Sequence, residues 1–213
     1  MARWAMVIDL RKCIACEACI AICRQVSGQP PGPTWRKLAE LVHPDNASAK
    51  RLLLTMSCMH CAKPTCMEVC PTGATYRRPD GIVDIDLDLC MGCGACVVAC
   101  PYHARAITVS DTMLSQNEKN SQTTYDKNKD RIGVCTKCNF CLQHIDEGLA
   151  KGLKPGTDPE CNPQCVRFCL TDSLCFGDMD DPDSEVSRLI RDNKTMGMLE
   201  ELGTEPSVYY ILP

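Results

Sequence analysis

Apolar residues in this chain come in short bursts broken by polar turns and by cysteines. Val7, Ile8 and Leu10 form a strand-like stretch ahead of the first cysteines. LLLTM at 52–56 and CVVAC at 96–100 are among the longest apolar runs. Both fall far below the roughly 20 residues that a membrane-spanning helix needs. GATYRRPDGIVDID at 73–86 reads as a hairpin: Pro79-Asp80-Gly81 makes the turn, with Thr75 and Tyr76 on one arm and Ile82, Val83 and Ile85 on the other. Further on, Asp181-Pro182 predicts a helix start, Asp181 as N-cap and Pro182 at the first helical position. Val186, Leu189 and Ile190 then form one apolar stripe, facing either the core or a larger partner chain.

The pattern also repeats. VIDLRKCIACEACIAIC at 7–23 aligns with DIDLDLCMGCGACVVAC at 84–100, sharing Ile-Asp-Leu before the first cysteine. The duplicated unit is a short strand, a cysteine loop and a helix that begins near the third cysteine. An α+β chain follows, built of two ferredoxin-like modules, one inserted within the other. The expected boundaries are 1–57 with 126–178 for the outer module and 58–110 for the inserted one. A polar linker covers 111–125, and the run SQNEKNSQTTYDKNKD at 115–130 extends it into the outer module. Residues 28–50, with GQPPGP and HPDNAS, make a second excursion, and 179–213 form a C-terminal helical docking tail.

Charge changes this picture little. Twenty-three basic side chains stand against 27 acidic ones, without the clustered basic face that a nucleic-acid partner requires. No secretory signal is expected ahead of the first motif.

Cysteine changes it most. Nineteen of 213 residues are cysteine, a density that in a small secreted chain would indicate a disulfide scaffold. Here the number is odd, the chain is long and aliphatic residues are ample. Close C-x2-C pairs also converge on one point, whereas disulfides bridge distant segments. Convergent thiolates call for a metal.

Four groups carry them. Cys13, Cys16, Cys19 and Cys23 are spaced x2-x2-x3; Cys58, Cys61, Cys66 and Cys70 are spaced x2-x4-x3 and precede Pro71. Cys90, Cys93, Cys96 and Cys100 return to the first spacing and precede Pro101. The fourth group is split into Cys135, Cys138 and Cys141, then Cys161, Cys165 and Cys169, with Cys175 beyond. Zinc prefers two separated C-x2-C pairs at one tetrahedral centre. Three ligands in seven residues with a fourth three residues on is instead the two-cluster ferredoxin spacing, in which the fourth cysteine serves the neighbouring cluster.

That crossing rule predicts the pairing. Cys58, Cys61 and Cys66 are closed by Cys100, and Cys90, Cys93 and Cys96 by Cys70. Cys13, Cys16 and Cys19 are closed by Cys169. Cys135, Cys138 and Cys165 are closed by Cys23. Cys141, Cys161 and Cys175 are left over as buried thiols acting as small hydrophobes. Cys141 or Cys161 in place of Cys165 is the open alternative, since Cys165 rests on its x3 step to Cys169. Small residues in the loops (Ala15, Ala18, Gly92, Gly94, Ala95) let backbone amides approach the sulfur.

MVIDLRKCIACEAC, CMHCAKPTCMEVCPTGA, DLCMGCGACVVACPY and FGDMDDPDSEVSRLI together resemble the four-cluster iron–sulfur subunit of the dimethyl sulfoxide reductase family. The resemblance implies electron transfer between a large molybdenum- or tungsten-pterin catalytic subunit and an outside acceptor, often a membrane anchor holding quinone. With Cys93 present, it implies four 4Fe–4S clusters. Leu170 stands after Cys169 where relatives often have proline, and the insertion between Cys138 and Cys165 is longer than usual. CTKCNFCLQHIDEGLAKGLKPG with the GDMDDPDS segment is similar to the small subunit of phenylacetyl-CoA:acceptor oxidoreductases. Arsenate, polysulfide, thiosulfate and tetrathionate reductase subunits share the same cysteine plan. The resemblance implies a cytoplasmic protein, free or docked at the membrane, or alternatively a periplasmic one exported with a signal-bearing partner.

The chain has no nucleophile–base pair or phosphate loop, so it is expected to perform no bond chemistry itself. A free polyferredoxin serving soluble partners is the second reading, and a zinc-bound interaction module the third. His60 and His144 beside cysteine groups are expected to support rather than ligate; His43 and His103 offer no constellation. Lys63, Arg77, Arg78 and Lys137 lie near cysteines, where they either raise potentials or dock a partner, with solvated side chains as the default.

Overall fold

The computed structural model of the chain describes residues 2–29, 34–41, 52–108 and 131–213. The expected linker at 111–125 lies outside the described residues, as does most of the 28–50 excursion.

Along the chain run β1 (Trp4–Asp9), α1 (Ala18–Ser27), β2 (Lys37–Leu41), β3 (Leu52–Met56), α2 (Thr65–Glu68), β4 (Thr75–Arg77), β5 (Val83–Ile85) and α3 (Ala95–Ala99). There follow β6 (Ala106–Ile107), β7 (Cys135–Thr136), α4 (Leu142–Ala150), α5 (Gln164–Arg167), β8 (Leu174–Asp178), α6 (Glu185–Asp192), β9 (Thr195–Gly197) and β10 (Val208–Ile211).

The main sheet is ordered β8-β1-β10-β9. β1 reads WAMVID, and all six residues are buried, as an apolar run covered on both faces should be. It pairs antiparallel with β8 (Met6 opposite Phe176) and parallel with β10 (Met6 opposite Val208). Alternate residues take opposite faces. Trp4, Met6 and Ile8 enter the main core with Phe140, Phe176, Cys19, Cys58, Cys138 and Cys165. Ala5 and Val7 meet Val186, with Leu189 and Ile190 packed alongside. The stripe on α6 therefore faces this sheet, and the cysteine loops lie against its other face.

Two expectations are corrected here. The N-cap of α6 is Ser184, whose side chain accepts from the Ser187 N–H at 3.1 Å. Asp181 sits one turn earlier, its carboxylate accepting from the Asp183 N–H and its carbonyl from the Ser184 N–H. Asp181-Pro182 thus makes an Asx turn that delivers the chain to the helix. Residues 179–213 are also no helical tail. They carry α6 and then two strands, one of them inside the sheet. Val208 and Tyr210 are fully buried, and the Tyr210 hydroxyl donates to the Thr55 carbonyl at 3.1 Å. The β-branched and aromatic residues of VYYI favour a strand there.

The hairpin forms as its sequence predicts, β4 antiparallel to β5 with Thr75 opposite Ile85. Gly81 turns it at φ 88°. β2 pairs with β3, and β6 with β7. Among the helices, α1 packs on α5 and α2 on α3. α2 and α3 are brief because Pro71 and Pro101 follow closely and cannot donate to a continuing helix. α1 ends at Gly28, left-handed at φ 54°.

Candidate cluster-binding site

The shared Ile-Asp-Leu has a mechanical role. At the end of β1, Asp9 Oδ1 accepts from the Arg11 N–H at 3.0 Å; in the repeat, Asp86 Oδ1 accepts from the Asp88 N–H at 3.0 Å. Each aspartate turns the chain from strand into cysteine loop. Asp9 is also gripped by the Arg11 guanidinium at 2.8 and 2.7 Å, which holds its carboxyl below the usual carboxylate value.

Inside the loops one backbone feature recurs. The residue before the second cysteine of each C-x2-C is left-handed: Ala15 (φ 55°), His60 (φ 44°), Gly92 (φ 70°) and Phe140 (φ 56°). In the first and third loops the residue after that cysteine is left-handed as well, Glu17 at 61° and Gly94 at 78°. Alternating handedness turns successive N–H groups to one side, making the anion-binding concavity found at many iron–sulfur sites. Side chains other than glycine reach this region at roughly 1–2 kcal/mol per residue, a strain that clusters at functional sites. At Gly92 space is decisive too, since a Cβ would stand 2.0 Å from the Gly133 carbonyl oxygen. A helix then begins one residue before the third cysteine in all four groups, at Ala18, Thr65, Ala95 and Gln164.

The thiols gather accordingly. Cys13, Cys16, Cys19 and Cys169 ring one cavity, walled by Ile14 and Leu174. Cys58, Cys61, Cys66 and Cys100 form a second group, where burial and the three neighbouring thiols push Cys61 up to about 12. Cys96 is buried in a smaller core with Cys70 and Cys90 packed against it; Cys93 is exposed on the same loop.

The fourth group differs from the spacing-based expectation. Burial, then Cys165 and Cys23, push Cys141 up to about 12, and burial with Cys23 and Cys165 raises Cys138. Cys23, Cys138, Cys141 and Cys165 are therefore the four thiols that adjoin. Cys135 stands elsewhere, its sulfur 3.5 Å from that of Cys96 and its N–H donating to Cys90 Sγ at 3.4 Å. The spacing offered two overlapping C-x2-C steps, 135–138 and 138–141. Pairing of β7 with β6 extends the backbone at Cys135 and Thr136, while the second step has a left-handed residue, Phe140, before its closing cysteine, as the other three groups do.

Cys161 and Cys175 stand apart from the other thiols. Cys161 is fully buried against Gly148, where a Cβ would approach to 2.1 Å. Cys175 lies on β8 beside the core under α6.

The fourth cysteine of each run receives a hydrogen bond from just downstream. Gln29 Nε2 reaches Cys23 at 3.4 Å, the Thr75 N–H Cys70 at 3.4 Å, the Ala104 N–H Cys100 at 3.5 Å, and Ser173 Oγ lies 3.2 Å from Cys169. At Cys70 and Cys169 these bonds outweigh burial and hold the thiols below their ordinary value.

His60 is fully buried, accepts from the Val83 N–H at 3.1 Å, and stacks on Phe140 with ring centroids 3.8 Å apart. Burial, then Lys137 and Arg105, push its pKa well down, so it is a neutral ring joining the second and fourth loops. His144 is half-buried on α4, His103 is exposed, and His43 lies outside the described residues. Lys63 pairs with Glu205, and Arg78 with Asp80 and Asp146. Lys137 is buried and donates to the Val83 and Cys138 carbonyls. Two further buried cations, Arg36 and Arg105, carried no signal in spacing or periodicity. Among the described residues, no three His, Cys, Asp or Glu side chains gather around a single-ion point.

Comparison with known proteins gives the family. Residues 49–119 match the family model of a 4Fe-4S dicluster domain. The B subunit of selenate reductase from Mesobacillus selenatarsenatis is 36% identical, the alignment covering 98% of this chain and 72% of that one. A putative dimethyl sulfoxide reductase iron–sulfur B subunit from Halobacterium salinarum is 36% identical over 99% of this chain and 79% of its own. The B subunit of sulfite dehydrogenase from Allochromatium vinosum is 30% identical, with coverage of 99% and 83%. With its cysteine loops and ferredoxin-like dicluster domain, the chain belongs to the iron–sulfur B subunits of the dimethyl sulfoxide reductase family of molybdoenzymes, the electron-transfer subunits of those oxidoreductases.

Proposed function

We propose that the chain relays single electrons through four 4Fe–4S clusters between a molybdenum- or tungsten-pterin catalytic subunit and an external acceptor. The observation that carries this is a left-handed residue recurring four times immediately before a cysteine that closes a C-x2-C step. The residues present suit the group: left-handed residues recur in every loop, thiols stand in sets, and two buried guanidiniums each keep an unpartnered nitrogen. Clusters, when bound, supply one-electron carriers whose potentials are set by net charge, hydrogen bonds to sulfur and exposure.

The ligand sets we propose are Cys13, Cys16, Cys19 and Cys169; Cys23, Cys138, Cys141 and Cys165; Cys58, Cys61, Cys66 and Cys100; and Cys70, Cys90, Cys93 and Cys96. Packing of α1 on α5 and of α2 on α3 supports two modules, the second (58–110) inserted within the first (1–57 with 126–178). The chain's own residues insulate the sulfur in the core, donate hydrogen bonds to the crossing cysteines, and hold the loops rigid. Cys16 and Cys93 are exposed, with Ile14 67% and Met91 66% exposed beside them. Apolar surface at two cysteine loops suits contact with one partner at each. For the catalytic partner, the likeness of 135–156 and 177–184 to phenylacetyl-CoA:acceptor oxidoreductase small subunits makes oxidation of an acyl-CoA at its α carbon the reaction to assay first.

The test is purification of the native complex under anaerobic conditions. Iron and acid-labile sulfide near sixteen each per chain, with a much larger pterin-bearing chain copurifying, is the expected result. Zinc without sulfide, or a stable chain with no large partner, refutes the reading.

A further inference from the structure

Resting on the four-cluster reading, we infer that Arg36 and Arg105 are matched counter-charges, one between the two clusters of each pair, that hold both neighbours at higher potential, with Lys137 in the same role where the pairs meet. Both arginines are essentially sealed, at 1% and 5% exposure. Among the described residues neither is paired with a carboxylate. Arg36 Nη2 donates only to the Met6 thioether at 3.1 Å, and Nη1 has no partner. Arg105 Nη1 reaches Thr75 Oγ1 at 3.0 Å and Cys135 Sγ at 3.8 Å, and Nη2 has none. A buried charge left uncompensated is strongly destabilising, so an anion must stand opposite each.

The charged neighbours identify that anion. The groups that keep Arg36 protonated despite burial are Cys165, Cys138, Cys19 and Cys23. Cys19 belongs to one proposed ligand set of the outer module, and the other three to its second set. For Arg105 they are Cys66, Cys135, Cys58 and Cys96. Again both sets are represented, through Cys58 and Cys66 on one side and Cys96 on the other. Each arginine thus acts between thiols of both proposed ligand sets of its module. Lys137 is buried at 3%, donates to the Cys138 carbonyl from the outer module and to the Val83 carbonyl from the inserted one, and acts electrostatically on Cys66.

The chemistry follows from charge. A cubane held by four thiolates is anionic and gains one further negative charge when an electron arrives; net charge is one of the terms that set its potential. A fixed cation in a region of low dielectric favours the reduced form of whatever lies on either side. Arginine suits the place because it stays protonated wherever it is buried. These are positioning residues, acting on the clusters through space and not as ligands.

The experiment is an EPR-monitored redox titration of the purified complex, with iron and sulfide assayed in parallel and each signal assigned by the cysteine variant that removes it. In Arg36→Met, the two clusters of the outer module should each become at least tenfold harder to reduce, which is about 59 mV for a one-electron couple. The inserted pair should move far less. Arg105→Met should do the reverse. Arg36→Lys and Arg105→Lys, which keep the charge, should restore most of the shift. Full iron with unmoved potentials, a uniform shift of all four clusters, or lysine variants as displaced as methionine ones would each overturn the inference. If a methionine variant loses iron, loss confined to its own pair and rescued by lysine supports the counter-charge; equal loss with lysine refutes it. A wild-type complex short of four clusters fails the underlying reading instead, and the iron assay tells the two failures apart.

Discussion

Cys141 and Cys135 exchange roles between spacing and geometry, and two substitutions separate them. Cys141→Ser replaces one of four adjoining thiols with a poorer ligand for iron, so the complex should fall below about sixteen irons per chain, to about fifteen if that cubane sheds one iron and about twelve if it is lost whole. Cys135→Ala removes a thiol lying 3.5 Å from Cys96 Sγ in a site 2% exposed. Its iron should stay near sixteen. The loss is one hydrogen bond to a ligand sulfur, about 0.5–1.5 kcal/mol. At about 59 mV per tenfold change for one electron, that is a fall of about 20–65 mV in the potential of the cluster bound by Cys96. The small void adds a stability loss on the order of 1 kcal/mol. Iron analysis and redox titration of both variants decide the matter. If Cys135→Ala loses four irons while Cys141→Ser keeps them all, the left-handed-residue argument fails and the 135–138 step holds the cluster.

Other expectations concern the scaffold. Gly92→Ala adds a Cβ 2.0 Å from a carbonyl oxygen at a left-handed position, so overpacking and backbone strain together should remove about 2–5 kcal/mol, read as a melting temperature lowered by about 5 °C or more. Ser184→Ala should lower stability by about 1 kcal/mol through the lost cap, and Asp181→Ala by less than half of that; equal losses would restore Asp181 as the cap. Stripping iron with a chelator should abolish the cooperative melt near the holoprotein's temperature, because the sites contribute folding energy and Arg36 and Arg105 lose their counter-charge; circular dichroism unchanged after complete removal of iron would contradict this.

Much of the architecture was legible because two kinds of signal are local. β1 and the β4–β5 hairpin are written in apolar runs and a Pro-Asp-Gly turn, and three cysteine loops in strict spacing. The fourth loop was not, since two overlapping C-x2-C steps are identical as spacing and only backbone handedness at Phe140 separates them. Strand β10 was hidden for a different reason. Its partner β1 lies at the far end of the chain, so VYYIL looks like any apolar segment until the sheet exists. Arg36 and Arg105 were invisible because their burial is set by tertiary packing between distant segments, and arginine in sequence defaults to solvent. Ser184 was outranked by the Asp-Pro signal, although either residue type can cap a helix.

β1 also bears on the order of assembly. Its neighbours in the sheet, β8 and β10, are the late strands of the chain, joined to it in pairs such as Met6 with Phe176 and Met6 with Val208. Contacts of such separation slow folding relative to local ones. Residues 58–100, with their hairpin and two cysteine loops, can close on themselves while the rest is still being made. Cys13, Cys16 and Cys19 meanwhile wait for Cys169. On the proposed ligand sets, the chain should therefore mature from its middle outwards, with the thiols of 58–100 protected first and Cys13, Cys16 and Cys19 among the last to be shielded from oxygen.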